Sequence, residues 1–376
     1  MRETVFTNGR IVAGAEAFAG SVAVRGGRIA SVDRGGTAAR GAIDLEGDYL
    51  IPGLIDVHSD SLERQFTPRF GVYWPSPLSA AVASDAMMHG CGVTTVLDAI
   101  CAEAFPEEET RRRMFNDAIG AVSAGEGAGL FRARHLLHLR CETADPKTPA
   151  ILGGHLDNPL VRLVSLMDHT PGQRQYKDVS KFRQYYSDVG WSDDEFAAVV
   201  ERLRGEQARY AGPQRAAIIR QAAARGIPLA SHDDATPGHV AEALAESITI
   251  SEFPTTLAAA RAARTAGMDV VMGAPNIVLG GSHSGNVSAL EVLLDGQLTV
   301  LASDYVPAGL LLAPFAVSAQ SGLPLADCLA LVTANPARML GLCDRGVIEP
   351  GRLADLVRVR LVDGLPVPVG VRVGGR

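Results

Sequence analysis

The sequence predicts a (β/α)8 TIM-type barrel carrying a small β-sandwich formed by the N- and C-terminal segments, and three observations lead there. Eight short apolar runs rich in β-branched residues recur through the middle of the chain, at 54–58, 93–99, 135–141, 161–167, 228–232, 247–253, 269–274 and 299–304. Most are separated by alanine-rich segments of helical periodicity, the alternation that builds a parallel barrel. Both ends of the chain have a different texture, short strands broken by glycine and proline. A doubly wound open sheet is the second architecture this alternation allows.

Taken in order, the first fifty residues read as TVFTNGRIVA, SVAVRGGRIASV and AIDLEGDYLI. Alternating apolar residues around Asn-Gly and Gly-Gly are hairpin signals. From about Gly346 the texture returns in GVIEPG, LADLVRVRLV and VPVGVRV. The two ends therefore predict one β-rich unit, residues 1–52 plus 343–376, around a barrel spanning 53–342. Within the barrel, TTLAAARAARTAG reads as a helix closed by its final glycine. The stretch 173–209 is too long and polar for a minimal crossover and reads as an insertion, a lid or a helical excursion.

Composition narrows the function classes. With 376 residues, 47% of them hydrophobic, the chain is too apolar for a disordered protein and long enough for a large core. Its 35 basic and 42 acidic side chains leave a net charge of −7, which argues against a nucleic-acid binder. Five cysteines without CxxC spacing indicate neither a disulfide framework nor a zinc ribbon. The start MRETVFTNGR lacks the apolar stretch of a signal peptide, and no run approaches the roughly 18 apolar residues of a membrane span. A cytoplasmic location is the expectation. Only Lys147, Lys177 and Lys181 are lysines.

Barrel enzymes carry their chemistry at the C-terminal ends of the strands, so the residues that end each run matter most. The first run ends in DVHSD with His58 and Asp60, the third in LRCE with Glu142, and the fourth in LMDHT with Asp168 and His169. The fifth ends in ASHDD with His232 and the eighth in ASD with Asp304. The i,i+2 spacing of His58 and Asp60 aims both to one face of a strand. A single such histidine is as well explained by a satisfied hydrogen bond, but five strand ends of eight carry histidine or carboxylate. Three imidazoles and two or three carboxylates exceed the needs of one tetrahedral zinc, so two divalent ions sharing a carboxylate are expected. Mixed nitrogen and oxygen donors suit Zn, Mn, Fe or Co.

In PGLIDVHSD, the strand-end histidines, Asp304, and the tail VTANPARMLGL followed by GVIEPGRLADLV, the chain resembles the amidohydrolase superfamily over its whole length. The resemblance implies a metal-dependent hydrolase. It also exposes departures, because the usual second histidine of the first strand is Asp60 here, and no lysine stands at a strand end to carry a carbamylated bridge. The resemblance implies Glu142 as the bridging ligand. It leaves Glu252, in SEFPTT, where a histidine is usual, with His169 as the substitute ligand. The metal set expected is His58, Asp60, Glu142, His169, His232 and Asp304.

The strings DVHSDSLERQFTPR, SLMDHTPGQRQY, LASHDDATPGH, TISEFPTT and MGAPNIVLGGSHSGN are similar to the superfamily branch that serves phosphonate catabolism. That resemblance implies hydrolysis of a ribose 5-triphosphate at the phosphorus nearest the sugar, releasing pyrophosphate. The residues are compatible with it. Arg64, Arg69 and Arg174 follow the first and fourth strands and suit bidentate phosphate contacts. Gly280, Gly281, Ser282, Ser284 and Asn286 form a loop able to cradle phosphate oxygens, and His283 within it is placed to bind phosphate or protonate a leaving oxygen. Taken singly, each arginine reads equally well as a surface residue and the loop as an ordinary flexible one. Asp304 is the expected base toward water activated by the ions. The expected partner is a phosphorylated sugar, with self-association also compatible. Hydrolysis of a C–N bond in a cyclic amide, N-acyl sugar or aminated base is the alternative, and a non-catalytic subunit of a multienzyme assembly the third reading.

Overall fold

The computed structural model describes residues 3–69, 71–282 and 284–376. Strands β1 (Glu3–Ala13), β2 (Glu16–Arg25), β3 (Arg28–Arg34), β4 (Ile43–Asp44) and β5 (Tyr49–Pro52) open the chain. The Gly26-Gly27 turn joins β2 to β3 as a hairpin, with both glycines at positive φ. Asn8-Gly9 does not form a turn. It is a bulge inside β1, where the register with β2 shifts between Phe6 and Gly9 and Asn8 takes φ 57°. The Asn8 side chain donates to Asp44 (2.8 Å), and a Cβ at position 9 would press on Leu45. The dipeptide therefore bends a long strand around its partner instead of reversing it.

The barrel follows as β6 (Leu54–Ser59), β7 (Val93–Ala102), β8 (Arg134–Glu142), β9 (Val161–Met167), β10 (Leu229–His232), β11 (Ile250–Glu252), β12 (Asp269–Gly273) and β13 (Val300–Ala302). These are the eight apolar runs, hydrogen-bonded in sequence order and parallel throughout. The ring closes between first and last strands: the amide of Asp304 donates to His58 O (2.9 Å) and that of Asp60 to Asp304 O (2.8 Å). Inside, Val57, Leu97, Leu163, Ala230, Ile250, Val271 and Val300 fill the lumen, one residue from each of seven strands. Outside, a larger core packs the strands against the helices.

The chain ends in β14 (Leu356–Val362) and β15 (Leu365–Arg372). They complete a seven-stranded sheet in the order β15-β14-β5-β1-β2-β3, with β4 on β1. β14 runs antiparallel to β5, so the last strands of the chain pair with the strand that leads into the barrel. Ile11, Val22, Val24, Leu50 and Leu356 form this unit's own core.

Between β9 and β10 the excursion contains helices Val179–Tyr185 and Asp193–Ala223. The second is 31 residues long and begins with a capping box formed by Ser192 and Glu195. It runs on past Arg209 and through Pro213 to become the crossover to β10, so the excursion and the barrel share one helix. All five cysteines are free thiols, and no helix among the described residues is long and apolar enough to cross a membrane.

Candidate metal centre at the barrel mouth

Three strand exits bend sharply. Asp233 and Phe253, directly after β10 and β11, and Asp304, two residues after the end of β13, hold φ of 55°, 52° and 53°, a region that non-glycine residues seldom occupy. Each amide bonds a neighbouring strand or its exit: Asp233 to Glu252 O (2.9 Å), Phe253 to Val271 O (2.8 Å) and Asp304 to His58 O (2.9 Å). All three residues line the mouth cavity. Strain of this kind concentrates where side chains must be aimed.

Two groups of ligand-type atoms converge there. His58, Asp60 and Asp304 form the first, and His169, His232 and Asp233 the second; within each group one donor atom per residue lies within 4.8 Å of the others. His58 is wholly buried. Its Nε2 lies 3.3 Å from Asp60 Oδ1 yet has no hydrogen-bond partner, and the same is true of Asp233 Oδ2 in the second group. Glu252, also wholly buried, touches both groups: Oε1 meets His58 Nδ1 at 2.7 Å and Oε2 meets His232 Nδ1 at 2.8 Å. A third cluster, His58, His138 and Glu252, lies entirely buried.

The electrostatics ask for positive charge. Burial works to lower the His58 pKa, but the Glu252 carboxylate carries it up to about 10. Burial likewise opposes protonation of His169, yet Asp233 and Glu142 raise it to about 10. Burial pushes Asp304 up, and the adjacent Asp60 anion adds to this, bringing it to about 7. Asp60 itself is held well below the usual carboxylate range against the cost of burial, by the Arg140 guanidinium first. Carboxylates that draw protons onto two imidazoles at the mouth are a donor set able to exchange those protons for divalent cations. With the unpartnered His58 Nε2 and Asp233 Oδ2, the residues present fit a metal centre.

Of the expected ligands, the structure gathers His58, Asp60, His169, His232 and Asp304. Glu142 belongs to neither converging group. It contacts Nδ1 of His169 at 3.0 Å and accepts from the His169 amide (3.2 Å), which orients that ring; the carboxylate in contact with both groups is Glu252. Asp168, which precedes His169, accepts from Gln207 (3.0 Å) and ties the β9 exit to the long helix. Asp233 was not among the expected ligands, although ASHDD contains it. Nor was His138, two residues before Arg140 on the same face of β8.

The mouth opens into a cavity of about 640 Å³ whose wall includes Arg64, Arg111, Arg140, Ser282, Ser284 and Asn286. Arg69 is exposed and outside that wall. Arg174 turns inward instead, donating to His232 O (3.0 Å) and Asp234 Oδ1 (3.1 Å), so its charge is spent inside the fold. Gly280 and Gly281 end the short helix Ala274–Val278: their amides bond Ile277 O (3.1 Å) and Asn276 O (3.0 Å), with Gly280 at φ 76°. Those N–H groups are committed to closing the helix, not to a phosphate cradle. His283 lies outside the described residues.

Residues 187–375 match the Amidohydrolase family. Over 356 residues the chain is 43% identical to the α-D-ribose 1-methylphosphonate 5-triphosphate diphosphatase of Escherichia coli (strain K12), covering 94% of each. The chain belongs to the amidohydrolase family. Solved amidohydrolases and related enzymes share its fold at low identity. N-acetyl-D-glucosamine-6-phosphate deacetylase from Mycobacterium smegmatis superposes with a TM-score of 0.64 at 17% identity, over 100% of this chain and 99% of that one. 5-Methylcytosine deaminase from Klebsiella pneumoniae gives 0.64 at 14%, over 100% and 96%. N-isopropylammelide isopropylaminohydrolase from Burkholderia multivorans gives 0.62 at 16%, over 100% and 98%. Among the described residues no lysine lines the mouth cavity: Lys147 pairs with Glu108 at the surface (3.6 Å), Lys177 is exposed, and Lys181 lies on the helix Val179–Tyr185.

Proposed function

We propose that this amidohydrolase hydrolyses α-D-ribose 1-methylphosphonate 5-triphosphate to the 5-phosphate and pyrophosphate. The observation that carries this reading is the 43% identity to the diphosphatase across 94% of both chains. The arginine-lined cavity beside the two ligand groups supports an anionic substrate over a neutral amide.

We further propose that two divalent ions, Zn, Mn, Fe or Co, are held by His58, Asp60 and Asp304 and by His169, His232 and Asp233. Such ions, when bound, would lower the pKa of water and neutralise phosphoryl oxygens. Glu252 spans both groups, holding the Nδ1 sides of His58 and His232, and Glu142 does the same for His169. Asp304 then accepts a proton from the attacking water, whose oxygen bonds the phosphorus nearest ribose. The bond from that phosphorus to its bridging oxygen breaks, and pyrophosphate leaves with the electron pair. Arg64 and the hydroxyls of Ser282 and Ser284 meet the departing phosphates.

Phosphorus NMR in ¹⁸O-water tests the reading. Pyrophosphate should appear unlabelled, with the label in the ribose 5-phosphate. Release of inorganic phosphate alone, or turnover confined to amides, would overturn it.

A further inference from the structure

The three arginines on the cavity wall differ in how much of their charge is already committed. Arg111 lies between Glu63 (3.1 Å) and Glu103 (2.7 Å), so two carboxylates already take its charge, although its Nε too has no hydrogen-bond partner. Arg64 is exposed, with its guanidinium 5.7 Å from the centre of the Tyr305 ring. Arg140 is mostly buried, its side chain 12% accessible. Nη1 donates to Asp60 Oδ1 at 2.7 Å, while Nε is buried with no hydrogen-bond partner. A buried donor without an acceptor is costly unless a ligand supplies one.

Its place in the strand accounts for this. His138, Arg140 and Glu142 alternate along β8 and so share one face, which points toward the site. His138 is in contact with Val57 and Ser165 in the buried interior, and Glu142 reaches His169 at the exit. Arg140 stands between them, against the first ligand group.

We infer that Arg140 is an anion-contacting residue at the reacting end of the cavity. With Nη1 it holds Asp60, and with its remaining N–H groups it meets phosphoryl oxygens of the substrate. The inference rests on the anhydride-hydrolysis reading above. An anionic phosphoryl group entering here faces Asp60, Asp304 and Asp233, and Arg140 is a cation of this wall paired directly with one of them, Asp60. Guanidinium is planar and carries five donors, so it can serve a carboxylate and a phosphate at once. Lysine, a point charge, would keep Asp60 paired and lose the second contact. The same residue explains how aspartate can stand at position 60, since the guanidinium offsets the added negative charge.

The test uses the metal-loaded chain, its Arg140→Lys and Arg140→Gln variants, and inorganic pyrophosphate as the probe. Metal content is counted, pyrophosphate binding is measured by calorimetry, and pyrophosphate release is followed with the ribose triphosphate. We expect Arg140→Lys to keep the wild-type metal count, bind pyrophosphate about 10-fold more weakly, and lose about 100-fold in kcat. Methylguanidinium should restore part of the rate in Arg140→Gln. Should that variant not fold, Arg140→Lys decides by itself. Pyrophosphate binding unchanged in Arg140→Lys overturns the inference, as does a loss of rate that tracks metal loss in proportion. If the wild type releases no pyrophosphate from the ribose triphosphate while Arg140→Lys still loses pyrophosphate binding, the anhydride reading falls and the role of Arg140 stands.

Discussion

At the scale of single residues, the site turns on which carboxylate touches what. Glu252 has no exposure and contacts two histidines from different ligand groups. Replacing it by glutamine should weaken metal retention about 10- to 100-fold, as loss of ligand-orienting partners does; metal analysis after dialysis checks this. Per bound metal, Asp304→Asn should lose about 10²- to 10⁴-fold in kcat, the usual worth of a positioned base. Full activity with metals retained would remove Asp304 from that role. Arg174 gives the opposite case. Its partner Asp234 is wholly buried, so Arg174→Met should cost about 3 kcal/mol of stability through the unpaired carboxylate and leave KM near wild type. Thermal melts and substrate titration separate the two effects.

At the scale of elements, two features outside the site carry their own predictions. Helix Glu108–Gly127 contains Gly125 where alanine is the better helix former by about 1 kcal/mol. A Cβ there would overlap the Phe131 ring, so Gly125→Ala should lower stability by about 1–3 kcal/mol despite the propensity gain. The start of β8 is fastened by His135, whose Nδ1 meets Asp98 at 2.7 Å and whose Nε2 lies 3.4 Å from Asp85. Burial alone would lower its pKa, but Asp98 and Asp85 raise it to about 9. A raised histidine contributes its full stabilisation below its unfolded pKa of about 6.5 and loses it as pH rises through about 9. Melting temperature should therefore fall between pH 7 and 9.5, with a smaller fall in His135→Gln; parallel curves would refute the assignment. How far these elements were legible varied with the kind of signal. Apolar runs located all eight barrel strands, since each strand is buried on both faces and its pattern is continuous. Asn8-Gly9 looked like a turn because the dipeptide tolerates positive φ, and only the neighbouring Leu45 and Asp44 make that φ a bulge.

At the scale of the whole molecule, ions that bind only the folded chain stabilise it by about 2.7 kcal/mol each when free ion is 100 times its Kd. Chelation should lower the melting temperature, and adding back Zn or Mn should restore both melting temperature and pyrophosphate release. Equal melts with and without chelator would count against ions seated in the two groups. The closure of the barrel explains why metal and fold should be coupled. Asp304 and Asp60 exchange backbone bonds with each other's strands at the seam, and their side chains sit in one ligand group.

The alternation of buried strands and amphipathic helices dictated the barrel, and His58, His169, His232 and Asp304, at or just beyond the ends of those strands, placed metal-type side chains at its mouth. Both follow from short-range regularities that a linear string preserves, namely period and order. Which groups meet across the mouth was decided only in three dimensions. Glu252 comes between two histidines 174 residues apart, Arg140 faces Asp60 from another strand, and Arg174 turns inward to Asp234. Closing a ring of twisted strands sets these distances through the register of every strand at once, and the left-handed exits at Asp233, Phe253 and Asp304 then aim the side chains. No spacing along the chain carries that information.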